Sequence, residues 1–226
     1  MSEVYPMDIL YICLSLVVAY LLGSVNSAII VSKALYKEDV RTHGSGNAGL
    51  TNMLRTYGAK AAGLTLFGDM LKGVLAILFA SLFFGLDYRM GISLSPECYL
   101  AGAFAVLGHV FPVFYQFKGG KGVLVTATMA LLLCPIHFAL LLAVFVIVVV
   151  ITRYVSLGSI IVAGLFPITV CLYIRFICGV TLSPITAIAT VFLGGFVIWC
   201  HRTNIKRLIA GNEKKISIGG KKKNND

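Results

Sequence analysis

Residues 123–152 read VLVTATMALLLCPIHFALLLAVFVIVVVIT. Between Lys121 and Arg153 there is no Asp, Glu, Lys or Arg. A helix needs about 20 mostly apolar residues to cross ~30 Å of hydrocarbon, and this run is too long for one. Pro135 lies inside it. Proline lacks an N–H and its ring clashes with the preceding turn, so it breaks a helix. The run therefore reads as two helices meeting at Pro135.

Outward from that stretch the pattern repeats. Met7–Ile30, Ala59–Leu86, Cys98–Tyr115, Ser156–Ile174 and Ser183–Trp199 are each long and apolar enough to span. The total is seven. Hydrophobic residues make up 58% of the chain and charged residues 12%, the latter about half the usual share. The fold class is an all-α integral membrane protein, and an ordinary soluble domain is excluded. The first block reads as a retained span, because it has Glu3 and Asp8 where a cleaved signal has basic residues. Residues 1–213 read as one transmembrane domain, and 214–226 as a basic, disordered cytoplasmic tail.

Cations set the orientation. Lys33, Lys37, Arg41, Arg55, Lys60, Lys118, Lys121 and Arg153 fall on one set of connections, with the tail cations from Arg202 onward. The other set has only Arg89 and Arg175. The positive-inside rule then places the N-terminus outside and the C-terminus in the cytoplasm, which an odd number of spans satisfies. The net charge of +10 suits anionic lipid headgroups beside the spans and gives no reason to invoke nucleic acid. The six cysteines form no CxxC pair and no zinc spacing, so no metal site is expected.

Spanning alone does not call for the polar motifs. His43 to Arg55 reads HGSGNAGLTNMLR. Glycine allows φ > 0 and a close approach of backbone N–H groups to a ligand, and successive N–H groups form an anion-binding nest. Gly44 and Gly46 would build the nest. Ser45, Asn47, Thr51 and Asn52 would add donors, and Arg55 a bidentate fork for phosphate. A second loop, His109 then Phe117-Lys118-Gly119-Gly120-Lys121-Gly122, repeats the theme of glycines beside an ammonium. It lacks the P-loop pattern. After the last span come His201, Arg202, Asn204, Arg207 and Glu213. If the helix continues, His201 and Asn204 share a face. Asp69 and Lys72 lie inside the second span, where charge is costly unless paired. Their i, i+3 spacing permits that pair and suits a supporting role. There is no Gly-x-Ser-x-Gly elbow, carboxylate cluster or nucleotide fingerprint.

These motifs, in this order, resemble the bacterial acyl-phosphate:glycerol-3-phosphate acyltransferases, the PlsY family. The match is carried by Gly44 to Arg55, Gly68 to Gly73, Gly108 to Gly122, Arg153 to Ser159 and His201 to Glu213. The resemblance implies a seven-helix enzyme of the bacterial cytoplasmic membrane with its site on the cytoplasmic face. It implies transfer of a fatty acyl group from acyl-phosphate to the 1-hydroxyl of glycerol 3-phosphate, giving lysophosphatidic acid and phosphate. No cofactor is implied, and the enzyme that supplies acyl-phosphate is a possible partner. The essential residues it implies fall on Ser45, Arg55, Lys121, His201, Asn204 and Glu213, and its glycerol 3-phosphate motif on Gly119, Gly120 and Gly122. Ala48 stands where proline is common. The threonine usual just after Gly122 is displaced, leaving Thr126 or Thr128 to substitute. The alternatives are a transporter for a small phosphorylated anion, which would favour an inverted repeat, and a scaffold binding anionic lipid.

Overall fold

The computed structural model describes residues 6–216. The chain before and after, including the Lys-rich end assigned to a disordered tail, lies outside the described residues. Ten α-helices run along the described chain: α1 (Pro6–Ser24), α2 (Ser27–Tyr36), α3 (Leu50–Tyr57), α4 (Ala59–Phe84), α5 (Pro96–Val110), α6 (Val123–Leu133), α7 (Pro135–Thr152), α8 (Val155–Leu172), α9 (Pro184–Cys200) and α10 (Arg202–Ile209). A two-stranded hairpin, β1 (Tyr88–Arg89) and β2 (Ile92–Ser93), pairs antiparallel between α4 and α5.

Five helical stretches are long and apolar enough to cross a membrane: Met7–Tyr36, Ala59–Phe84, Pro96–Tyr115, Pro135–Thr152 and Val155–Ile177. A sixth is α9 with α10, counted together across a 55° bend. The break at Pro135 falls where the sequence puts it, with α6 ending at Leu133 and α7 starting on the proline. However, α6 has only 11 residues, roughly 16 Å at 1.5 Å per residue, which is short of the hydrocarbon depth. Side chains such as Phe67, Leu82 and Ile151 point outward, where lipid tails solvate them at no cost.

The first span is broken as well. α1 stops at Ser24 and α2 restarts behind Asn26, whose side-chain oxygen caps the new helix by accepting from Ile29 N at 3.1 Å. Non-helical backbone at membrane depth survives only where protein buries it, and Ser24 and Asn26 are fully buried.

Helix α5 is the hub. It packs on α1, α4, α6 and α9, and Tyr99 on it is fully buried. On the α1 side two glycines let the backbones touch. A Cβ on Gly108 would run into the Tyr20 carbonyl oxygen, and one on Gly23 into that of Ala105. The Tyr20 hydroxyl closes the same seam by donating to the Phe111 carbonyl at 2.8 Å. Gly108→Ala must push the helices apart, a kind of overpacking that costs about 1–3 kcal/mol. The detergent-purified variant should melt several degrees below wild type, and an unchanged melting curve would mean the seam is loose.

Candidate active site

Four connections meet at one end of the bundle: α2 to α4, α5 to α6, α7 to α8, and the chain after α9. The first begins with a 3-10 turn capped by Asp39, which accepts from Arg41 N at 3.0 Å. Gly44 and Gly46 follow at φ 63° and 72°. The segment from Leu50 to Arg55 belongs to α3 rather than to a loop. Gly49 and Gly58 bound this short amphipathic helix, burying Asn52 and Met53 against its neighbours.

Asn52 does not have a free amide for substrate. Its Oδ1 accepts from Ser45 N at 2.8 Å, and its Nδ2 donates to the Val40 and His43 carbonyls at 3.2 and 3.0 Å. It fixes the loop. Part of the backbone nest expected from the glycines is taken up by the chain, while the N–H groups of Gly44, Asn47, Lys121 and Gly122 make no backbone hydrogen bond. Gly46 N and Gly49 N bond within the loop, while Gly119 N donates to the Val110 carbonyl and Gly120 N to that of His109, both at 3.1 Å. Buried N–H groups seek any acceptor, and here the chain itself supplies one. The glycines also allow close packing. A Cβ on Gly119 would strike the His109 carbonyl, and one on Gly120 the His109 ring and the Ala48 carbonyl.

Side chains supply the rest of the polar lining. A cavity of ≈ 430 Å³ is lined at its mouth by Ser45, Asn47, Thr51, Arg55, Lys121, His201, Asn204 and Arg207. Deeper in, its wall changes to Leu131, Phe138, Leu141, Phe145, Phe166 and Leu193. A second hollow of ≈ 240 Å³ shares Ser45, Asn47, Lys121 and Arg207 with the first, and adds Gly46, Gly120, Trp199 and Arg202. The Arg202 guanidinium lies 4.2 Å above the Trp199 ring, a cation–π contact that holds its orientation. Asp69, His109, Gly122 and Glu213 reach the larger cavity, whereas Gly44, Gly119 and Lys72 line neither.

The helix does not continue straight through His201. The chain bends there, and α10 starts at Arg202. His201 and Asn204 both remain buried and line the cavity. His201 Nδ1 lies 2.7 Å from the Val197 carbonyl oxygen. A carbonyl only accepts, so Nδ1 carries the proton and Nε2 keeps its lone pair.

Lys121 donates to Asn204 Oδ1. Burial, reinforced by the nearby Arg207 cation, pushes its ammonium down to about 8 against the opposing pull of Glu213. Asn204 Nδ2 donates to Glu213 Oε1 at 2.6 Å, and Glu213 also accepts from Ser156 Oγ at 2.9 Å and Arg207 Nε at 2.7 Å. Burial alone would raise the Glu213 carboxyl, but these three donors hold it below its ordinary value. Arg55 donates to the Lys214 carbonyl at 3.0 Å, and Ile216 N to that of Arg153 at 2.8 Å. The segment from Gly211 to Ile216 thus straps α3, α8 and α10 across the cavity mouth.

Residues 13–211 match the family described as glycerol-3-phosphate acyltransferase. The chain belongs to the glycerol-3-phosphate acyltransferase family. It is 41% identical to the Bacillus subtilis glycerol-3-phosphate acyltransferase over 91% of this chain and 97% of that one. It is 42% identical to the Clostridioides difficile glycerol-3-phosphate acyltransferase over 93% and 98%. Among solved structures it resembles PlsY, an integral membrane glycerol 3-phosphate acyltransferase, in its glycerol 3-phosphate form. The TM-score is 0.79 at 32% identity, over 91% of this chain and 96% of that one. The lysophosphatidic acid form of PlsY aligns with a TM-score of 0.76. Membership of this acyltransferase family fits a cavity that is cationic at the mouth and apolar in its depth.

Several residues of the site drew no attention in the sequence. Arg41 read as a topology charge. In fact Nη1 donates to the Tyr115 and Lys118 carbonyls at 2.9 and 3.1 Å, tying the first loop to the second. Its own ion pair with Asp39, at 2.7 Å, holds that carboxyl down to about 2. The Asp-x-Arg spacing beside the glycine loop was the available signal. Ser156 falls in the Arg153–Ser159 motif, which gives it no role of its own, and Asn26 is an amide inside an apolar block; only their partners reveal what they do.

Proposed function

We propose that this protein transfers a fatty acyl group from acyl-phosphate to the 1-hydroxyl of glycerol 3-phosphate, releasing lysophosphatidic acid and inorganic phosphate in phospholipid synthesis. One observation carries the reading: a single cavity joins a cluster of cations to an apolar trough that suits an acyl chain. The smaller hollow beside Arg202 and Lys121 suits the second, fully polar substrate.

The acyl chain lies along Phe138, Phe145 and Phe166, entering from the bilayer. Arg55, Lys121 and Arg207 bind phosphate oxygens, with Ser45, Asn47 and Thr51 donating beside them. Thr126 and Thr128 both line the cavity; the Thr128 hydroxyl donates to the Leu124 carbonyl, while that of Thr126 is buried without a partner among the described residues. His201 Nε2 accepts from the 1-hydroxyl and aims its oxygen at the acyl carbon. The new C–O ester bond forms as the bond from the acyl carbon to the phosphate oxygen breaks, and the hydroxyl proton leaves on the phosphate. Because acyl-phosphate is already activated, positioning and charge stabilisation supply the acceleration, with no cofactor.

We read the topology as seven helical passes, N-terminus outside and C-terminus in the cytoplasm, with the site on the cytoplasmic side of a bacterial inner membrane. Helix α6, with 11 residues, covers only part of the depth. An enzyme that makes acyl-phosphate is the natural partner for a site fed from cytosol and bilayer.

The test is phosphate release by the detergent-purified protein from palmitoyl-phosphate, with and without glycerol 3-phosphate. Release should depend on glycerol 3-phosphate, with lysophosphatidic acid appearing in step. Ser45→Ala should lower kcat/KM by roughly tenfold or more, as loss of a donor to a charged group does. A folded protein that glycerol 3-phosphate does not stimulate, or full turnover in Ser45→Ala, would sink the assignment.

A further inference from the structure

The Gly119–Gly120 turn leans on a buried cluster to which the transfer step gives no role. At its centre is Lys72 of α4, only 4% exposed. An ammonium has three N–H donors and no acceptor. Three partners surround it inside the protein: Nζ pairs with Asp69 Oδ1 at 2.9 Å, donates to the Val25 carbonyl at 2.8 Å and to His109 Nδ1 at 2.9 Å. The Val25 carbonyl is there to accept because the first span breaks between α1 and α2. Asp69 balances the charge that the apolar surroundings would otherwise penalise. Lys72 lines neither hollow.

The consequence falls on His109. Lysine cannot accept a hydrogen bond, so Nδ1 must present its lone pair, and the ring proton must sit on Nε2. This is the reverse of His201, whose Nδ1 donates to a carbonyl and whose Nε2 is the acceptor. The two histidines thus offer the cavity opposite chemistry, and both rings line it. The Nε2 edge of His109 abuts Gly120 beside the Ala48 carbonyl, the place where the two glycine loops touch. His109 lines the cavity, so an Nε2–H there is available to a ligand.

We propose that Asp69 and Lys72 lock His109 as a neutral Nε2–H donor, and that this donor binds a phosphate oxygen of a substrate held between the Ser45–Ala48 and Gly119–Lys121 turns. The inference rests on the phosphorylated-substrate reading above. The phosphate belongs either to glycerol 3-phosphate or to acyl-phosphate. A locked neutral donor adds a hydrogen bond without adding charge to a site already crowded with cations, and Gly120 is the residue that leaves room for it.

Kinetics and NMR test the proposal separately. His109→Leu fills the space without a donor, and His109→Gln returns an amide N–H near the position of Nε2. With both variants checked for folding by thermal melts, His109→Leu should raise KM roughly 10- to 100-fold for one substrate, with kcat changed far less. His109→Gln should recover most of that loss. The substrate whose KM moves is the one whose phosphate is bound. In histidine-15N-labelled wild type, the His109 ring should show a protonated Nε2 and a bare Nδ1 between about pH 5 and 8. Lys72→Met should release it to a tautomer mixture, and glycerol 3-phosphate or inorganic phosphate should shift its Nε2 signal. An Nδ1–H ring in wild type would overturn the proposal. So would equal KM increases in folded His109→Leu and His109→Gln. Should wild type turn over neither substrate, the acyltransferase reading fails. The Nε2 response to inorganic phosphate then decides the His109 proposal alone, and no response overturns it.

Discussion

Replacing Lys121 with methionine lowers turnover by about 10²–10³-fold, the loss expected when a preorganised donor to developing charge is removed. The side chain sits where the two hollows share a wall, and Asn204 holds its ammonium by a single hydrogen bond, leaving two N–H donors for phosphate. The pH profile gives a sharper check. Burial pushes Lys121 down to about 8, so the free enzyme loses this cation as pH rises through that value, and kcat/KM for the phosphorylated substrates should fall with it. Stability should move the opposite way. The folded state binds the Lys121 proton less tightly than the unfolded chain, so between about pH 8 and the ordinary lysine value the unfolded state holds more protons, and this group's contribution to stability rises with pH. Falling activity beside rising stability is the signature. Lys121→Arg, whose charge persists above pH 12, should remove the decline in kcat/KM even where its different fork lowers the absolute rate. A wild-type profile flat from about pH 7 to 10 would remove Lys121 from the phosphate site.

The helices were legible in the sequence because lipid leaves so few options. A backbone in hydrocarbon must satisfy its own hydrogen bonds, so a long apolar block is a helix, and Pro135 divided one such block at the right residue. The exceptions share a cause. The break at Val25–Asn26 bears no proline. It is stabilised by a cap from Asn26 and by Lys72, a residue distant in sequence, and long-range partners leave no periodic mark. The short length of α6 was hidden because its residues are as apolar as those of a full span.

The site was legible as residue types more than as geometry. Ser45, Arg55, Lys121, His201 and Asn204 do gather at one mouth. Of the glycines expected to expose backbone donors, Gly44 and Gly122 do not have theirs taken up by nearby backbone carbonyls, while Gly46, Gly49, Gly119 and Gly120 do. Asn52 went the same way. A donor's type can be read from a sequence, but whether the fold has already engaged it depends on contacts such as Arg41 with the Lys118 carbonyl.

The second large effect is expected at Glu213, which lies just past the matched family segment and touches more of the site than any other carboxylate. Its two oxygens accept from Ser156, Asn204 and Arg207, and Asn204 in turn orients Lys121. Glu213→Ala leaves Arg207 without its counter-ion beside Lys121 and lets the Asn204 amide turn. The Arg207 side chain is well exposed, so solvent screens the pair, and the loss comes mainly from the hydrogen bonds to the charged carboxylate, about 1–3 kcal/mol. The melting temperature should therefore fall sharply, and activity should fall even at temperatures where the variant is folded. Glu213→Gln separates charge from shape. The amide oxygen can still accept from Ser156 and Asn204, but its NH₂ confronts the Arg207 donor, so the variant should remain clearly destabilised. Ser156→Ala removes one hydrogen bond and should lose only about 1 kcal/mol. The carboxyl is held below its ordinary value in the fold, so its contribution is complete above the unfolded value near pH 4 and fades as pH falls through the folded one. In Glu213→Gln that acid-side loss should be absent. If Glu213→Gln melts with wild type and works at full rate, the strap is an ornament of the fold, and the orientation of Lys121 must come from elsewhere.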